Sequence, residues 1–254
     1  MITLFESGDH KNIMFHDLSG GLMVQSNQHI VIDGRESLLL DPGGHKVYTN
    51  LLMEMSLDTT PGDIKHIFFS HQDPDVLAAA NGWLMVTDAE AYLPETWTRF
   101  IPHFGVDDFL VKRLNGIPDK GMEIQLNGHT MLVIPAHFLH SPGNFHLYDP
   151  VSKILYTGDL GVSLGQDYFK VEDFERHIRF MEPFHQRFMA GSRAVNTWAK
   201  AIKDLDIEII APQHGAVFPN LTMVEKFIDW VTSLECGLDL MDDPAPPPPE
   251  DLPL

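Results

Sequence analysis

Short apolar runs separated by turn residues dominate the first half of the chain. Ile30-Val31-Ile32 and Ser37-Leu38-Leu39-Leu40 flank Asp33-Gly34-Arg35-Glu36, and the second run stops at Asp41-Pro42-Gly43-Gly44. Runs of this length, bounded by Gly and Pro, read as strand, turn, strand and a glycine-rich break. Between residues 46 and 56 the spacing becomes helical. Gly62 to Phe69 enters another buried strand, whose end delivers His71. Pro74 suits the first turn of a helix, where its missing N–H has no intrahelical partner anyway, and Val76-Leu77-Ala78-Ala79-Ala80 continue in that sense. Residues 84–136 alternate strands with short helices and close on Thr130-Met131-Leu132-Val133-Ile134-Pro135.

The second half repeats the scheme. Phe145 to Asp149 and Lys153 to Thr157 form a hairpin across Pro150-Val151-Ser152. Helical spacing covers residues 173–189, 192–205 and 222–238, and Glu208 to Ala211 is a strand that delivers His214. Strands followed by helices in both halves predict an α+β protein, an αββα four-layer sandwich with its site where strand-end loops converge at one edge. The apolar face of 174–189 could belong to the core or to a homodimer interface. From Pro244 to Leu254 there are six prolines in eleven residues. Such a segment builds neither ladder nor helix. The expected division is a domain over residues 1–242 and a disordered, proline-rich acidic tail over 243–254, with a peptide for a proline-reading partner as the alternative.

Composition narrows the function. With 254 residues the chain can bury a full core without disulfides. It carries 17 basic against 36 acidic residues, a formal charge of −19. Nucleic acid and anionic membranes are therefore poor partners, because both are held by clustered cations. The single cysteine, Cys236, rules out an intrachain disulfide and a thiolate metal cluster, and fits a reducing compartment. No basic segment followed by an apolar run opens the chain and no membrane-spanning stretch follows. The expected location is cytoplasmic.

The chemistry lies in His71-Gln72-Asp73-Pro74-Asp75, His140, Asp159 and His214. Residues two apart in extended chain face one side, so His71 and Asp73 can reach one metal and Asp75 a second. His71, Asp73 and His140 would make the two-histidine, one-carboxylate set associated with non-haem ferrous iron, which leaves open positions. Asp159, directly after a strand, has two oxygens and can bridge two ions, and His214 would join Asp75. Three carboxylates nearly balance two divalent ions, so a reduced pair and its oxygen adduct could carry equal charge in a dry site. Asn144, His146 and Tyr156, with His137, are candidates for the hydrogen bonds that metal-bound histidines and bound oxygen need.

These motifs resemble the metallo-β-lactamase superfamily, whose signature HxHxDH is followed by separate His, Asp and His. An acid at the third position, here Asp73, resembles the flavodiiron branch. HxDxD with a segment like His140-Ser141-Pro142-Gly143-Asn144 is closest to the oxygen-binding diiron protein family. The likeness covers roughly residues 1–240. It implies a metallo-β-lactamase-like fold and two iron ions, one on His71, Asp73 and His140, the other on Asp75 and His214, with Asp159 between. Val76 stands where the superfamily has its last histidine, which implies an open coordination position, or else a weakened second site. The flavodiiron reductases continue into a flavodoxin-like domain; no flavin site is evident in this chain.

The expected function is that of a diiron protein binding dioxygen, and nitric oxide as a further candidate ligand, as a sensor or carrier of redox state with a signalling partner. No residue is expected to act as a catalytic acid, base or nucleophile. One alternative is an O₂ or NO reductase fed by a separate electron-transfer protein. Another is a dizinc hydrolase, since Zn²⁺ generally outcompetes Fe²⁺ for the same ligands.

Overall fold

In the computed structural model, residues 1–21 and 23–241 are described; the proline-rich tail lies outside them. Twelve strands make two sheets among the described residues. The first contains β1 (Ile2–Ser7), β2 (His10–His16), β3 (Asn27–Asp33), β4 (Glu36–Leu40), β5 (Ile64–Phe68), β6 (Glu90–Pro94) and β7 (Leu114–Ile117), in that spatial order. β1 to β4 run antiparallel, and β4 to β7 are parallel. The second sheet has the order β12 (Ile209–Ala211), β11 (Ile154–Tyr156), β10 (Phe145–Asp149), β9 (His129–Pro135), β8 (Met122–Leu126).

Period-two alternation places each strand's side chains in two layers. On β3, Ile30 and Ile32 join the core under the first set of helices, whereas Val31 joins the layer between the sheets with Met14, Leu38 and Leu147. The first outer layer contains α1 (His45–Met55), α2 (Pro74–Leu77) and α3 (Ala80–Val86). On α1 the buried residues are Val47, Leu51 and Met55, spaced four apart. The second outer layer contains α4 (Phe174–Phe188), α5 (Ser192–Ile202) and α6 (Leu221–Ser233). Asp173 caps α4 through the Arg176 amide, and Asn220 caps α6 through that of Met223. The result is the αββα sandwich. No helix among the described residues is long and apolar enough to cross a membrane.

Boundaries shift in two places, and the role of one helix face is settled. Residues 95–104 form a 3₁₀ run, with Pro102 inside it. The last helix ends at Ser233, because Leu234 and Cys236 are extended and Gly237 takes positive φ; a short 3₁₀ turn follows at Gly237–Leu240. Phe174, Met181 and the rings of His177 and His185 on α4 are buried in the second-layer core, so the inward face of this helix belongs to the core.

Candidate metal centre

Four of the expected ligands lie in the loops that leave strand ends. His71 leaves β5, His140 follows β9, Asp159 follows β11 and His214 follows β12. Two cross-sheet bonds put these ends at one edge. Asn27 N–H donates to Gln213 O at 2.5 Å, and Phe145 N–H donates to Ser70 O at 3.0 Å. Asp73 and Asp75 reach the edge differently from the extended alternation expected for them. Asp73 is the N-cap of α2 and Asp75 lies in its first turn, because Pro74 starts the helix at once.

All six side chains converge. Asp159 Oδ2 lies 2.7 Å from His140 Nε2 and 3.7 Å from His71 Nε2. Asp73 Oδ2 lies 3.4 Å and 3.8 Å from the same two nitrogens. One donor atom from each of His71, Asp73, His140 and Asp159 falls within 4.8 Å of all the others. The other Asp159 oxygen, Oδ1, faces His214 Nε2 at 3.5 Å, and His214 Nε2 is 3.2 Å from Asp75 Oδ2. Asp159 therefore stands between two groups of donors. His71 Nε2 and Asp159 Oδ1 are buried without a hydrogen-bond partner. Buried polar atoms left bare are costly unless an ion meets them, so this donor set fits two cations.

Neighbouring bonds turn the imidazoles inward. Ser70 Oγ pairs with His71 Nδ1 at 2.8 Å, and the Ser70 amide donates to Asp41 Oδ1 at 2.7 Å. Burial raises the Asp41 carboxyl to a pKa of about 6. His214 Nδ1 donates to Gln25 O at 2.6 Å, and Gly215 N–H donates to Gln25 Oε1 at 2.6 Å. His185 Nε2 accepts from the Gly161 amide at 2.9 Å, two residues beyond Asp159. Phe184 and Phe188, stacked 4.6 Å apart, flank His140. Gln25, Asp41 and His185 have no motif of their own in the sequence, whereas Ser70 opens the Ser70-His71-Gln72-Asp73-Pro74-Asp75 run.

The other candidates lie further back. Asn144 donates to Leu139 O, which braces the loop holding His140. His146 Nδ1 accepts from Trp198 Nε1 at 2.9 Å, and burial lowers its pKa to about 3. The Tyr156 hydroxyl is taken by Asn12 Nδ2 at 2.9 Å, in the layer between the sheets. His137 pairs with Asp119 O at 2.8 Å. Val76 is fully buried in the apolar cluster with Val47 and Leu51.

Charge follows geometry. Burial works against a proton on His140, yet Asp159 and Asp73 outweigh it and lift its pKa to about 10. His214 is likewise raised to about 9, by Asp75 and Asp159 against burial. Burial opposes charge on Asp159 too, but the surrounding imidazoles hold it well below the carboxylate range. Without metal, protons do the work that cations would do.

An αββα sandwich with paired His/Asp donors at its strand-end edge is a metallo-β-lactamase-like architecture of the flavodiiron kind. Residues 24–215 match the family described as ODP family beta lactamase, and the chain belongs to it. A solved structure of the peroxy diiron species of chemotaxis sensor ODP is 41% identical, with a TM-score of 0.84 over 94% of this chain and 96% of that one. The apo state of the sensor from T. denticola is 40% identical, with a TM-score of 0.83 over the same shares. Rubredoxin oxygen:oxidoreductase from Desulfovibrio gigas shares the fold at 13% identity, with a TM-score of 0.77 over 91% of this chain and 61% of its own. An uncharacterised protein of Methanocaldococcus jannaschii is 24% identical over 80% of this chain; the chain spans about half the length of that relative.

Proposed function

We propose that this chain is a non-haem diiron protein that binds dioxygen and reports oxygen or redox state to a signalling partner. The observation that supports it most is the two-sided presentation of Asp159, one oxygen toward His71 and His140 and the other toward His214. A relative of 41% identity, solved as the peroxy diiron species of chemotaxis sensor ODP, supports iron as the metal and sensing as the role.

In this reading His71, Asp73 and His140 would hold one iron and Asp75 and His214 the other, with Asp159 placed between them. Two ferrous ions bound there would supply the electrons that dioxygen binding requires. The chain's own residues do the rest. Ser70 and Gln25 aim the imidazoles, while Phe184 and Phe188 keep an apolar wall beside His140. Half of the Asp75 side chain and a third of that of Asp73 reach solvent, which leaves a way in for a small ligand. A cytoplasmic location and a homodimer complete the proposal; the buried, reduced Cys236 is consistent with the first.

The test is anaerobic purification, elemental analysis, and absorption spectra before and after oxygen. About two irons per chain and a stable oxygen-dependent band support an oxygen-binding sensor. Two zinc ions and no band favour a hydrolase. Continuous oxygen consumption with a reducing protein favours a reductase. Sedimentation velocity decides the dimer.

A further inference from the structure

A groove of about 730 Å³ lies between the loop after β9 and the first turns of α5. Its lining includes Pro135, Phe138, Ala194, Trp198 and Leu238, with Arg193 as its cation. Two of these apolar side chains are bare: Phe138 is 51% exposed and Leu238 71%. Large apolar groups gathered in one concave patch mark a surface that something covers.

Backbone bonds hold both walls in place. Phe138 N–H donates to Ser141 O at 2.7 Å, and Phe138 O accepts from the Ala190 amide at 3.1 Å. This wall runs on through Leu139 into His140, a ligand of the metal centre. On the other side Leu238 N–H donates to Ala190 O at 3.0 Å. Asp239 Oδ2 accepts from the Ser192 amide at 2.6 Å and the Cys236 amide at 3.2 Å. The groove is therefore preformed, and the 3₁₀ turn at Gly237–Leu240 is part of it.

The same bonds fix where the chain goes next. Residues 242–254 follow Met241, and Pro244 stands three residues on, so it starts within about 11 Å of Met241 even in extended chain. Pro244-Ala245-Pro246-Pro247-Pro248-Pro249 favour the polyproline helix, in which six residues span about 19 Å. Grooves with aromatic walls bind this helix well, because it is already ordered before it docks. Glu250 and Asp251 follow directly and are opposite in sign to Arg193. We propose that residues 244–251 of the same chain occupy this groove, so that the protein reads its own proline-rich segment against the loop that presents His140. Tethering sets an effective concentration of about millimolar, so a contact that is weak between separate molecules is well populated within one. The proposal does not depend on which metal fills the centre.

The test is fluorescence anisotropy of a labelled synthetic peptide of residues 242–254, titrated with the full chain and with a chain ending at Met241. The shortened chain keeps every residue of the groove and both sheets. It is expected to bind the peptide at least about tenfold more tightly than the full chain, whose own segment competes. Arg193→Glu in the shortened chain should weaken binding about fivefold. Thr197→Arg, at an exposed position of the lining, should abolish it and keep the fold. Equal binding by full and shortened chains overturns the proposal, as does binding that Thr197→Arg leaves intact. No binding at millimolar peptide also overturns it and leaves the groove to another protein. Sedimentation velocity supplies the remaining outcome: a full chain that is dimeric and a shortened chain that is monomeric would put the segment in the groove of a second copy, against the proposal.

Discussion

His214 donates its Nδ1 proton to the backbone carbonyl of Gln25, at 2.6 Å and across 189 residues of sequence. This leaves Nε2 free to face Asp75 and Asp159. The Gln25 side chain strengthens the link by accepting from Gly215. Gln25→Ala is expected to keep the fold and weaken the ion at Asp75 and His214 by about 10- to 100-fold. Competition with a chromophoric chelator measures it; unchanged affinity would deny Gln25 this orienting role.

Metal uptake is expected to release protons. His140 and His214 hold protons with pKa values of about 10 and about 9 in the metal-free centre, and ligation removes them. Apparent affinity should therefore climb steeply with pH between about 6 and 9. Calorimetry in buffers of different ionisation enthalpy counts the protons.

The metal-free protein should be most stable near pH 6.5. Burial lowers His177 and His185 to about 4, with no compensating carboxylate bond. The unfolded chain takes up their protons first as pH falls below 6.5, so stability drops between 6.5 and 4, by roughly 3 kcal/mol for each ring. His140 and His214 act in the opposite sense. Their folded pKa values are raised, so their contribution is complete below 6.5 and is lost as pH rises through 9 to 10. Loading with metal should abolish the alkaline loss and leave the acid one. Urea titrations from pH 4 to 10 display both limbs.

Cys236 should resist thiol reagents in the native state. It is fully buried, and burial beside Asp239 lifts its pKa to about 11. Alkylation should need denaturant, with a native rate lower by a factor of 100 or more, roughly. Fast native labelling would show that the segment after α6 opens readily.

Much of the architecture is legible in the apolar pattern. β3, β4, β5 and α1 sit where short runs and helical spacing put them, since each strand's two faces meet apolar layers. The β1–β2 hairpin is harder to see because polar residues, His10 and Asn12, occupy inward positions there. Periodicity overran α6 because Leu234 and Cys236 are buried beyond its end in extended chain. At the centre, His71, Asp73, Asp75, His140, Asp159 and His214 can be picked out because each sits at a strand end or a helix start. Gln25 and His185 cannot, since their roles depend on contacts that no local spacing encodes.

The ligands are divided between the two halves of the chain: His71, Asp73 and Asp75 come from the first sheet's side, and His140, Asp159 and His214 from the second. During synthesis the first three emerge while more than half of the sequence is still unmade. The ion at Asp75 and His214 cannot have its full set of donors until β12 has joined its sheet and brought His214 to the edge. Each donor set draws on both sheets, so a complete centre requires the assembled sandwich, and a metal bound there ties one half of the chain to the other.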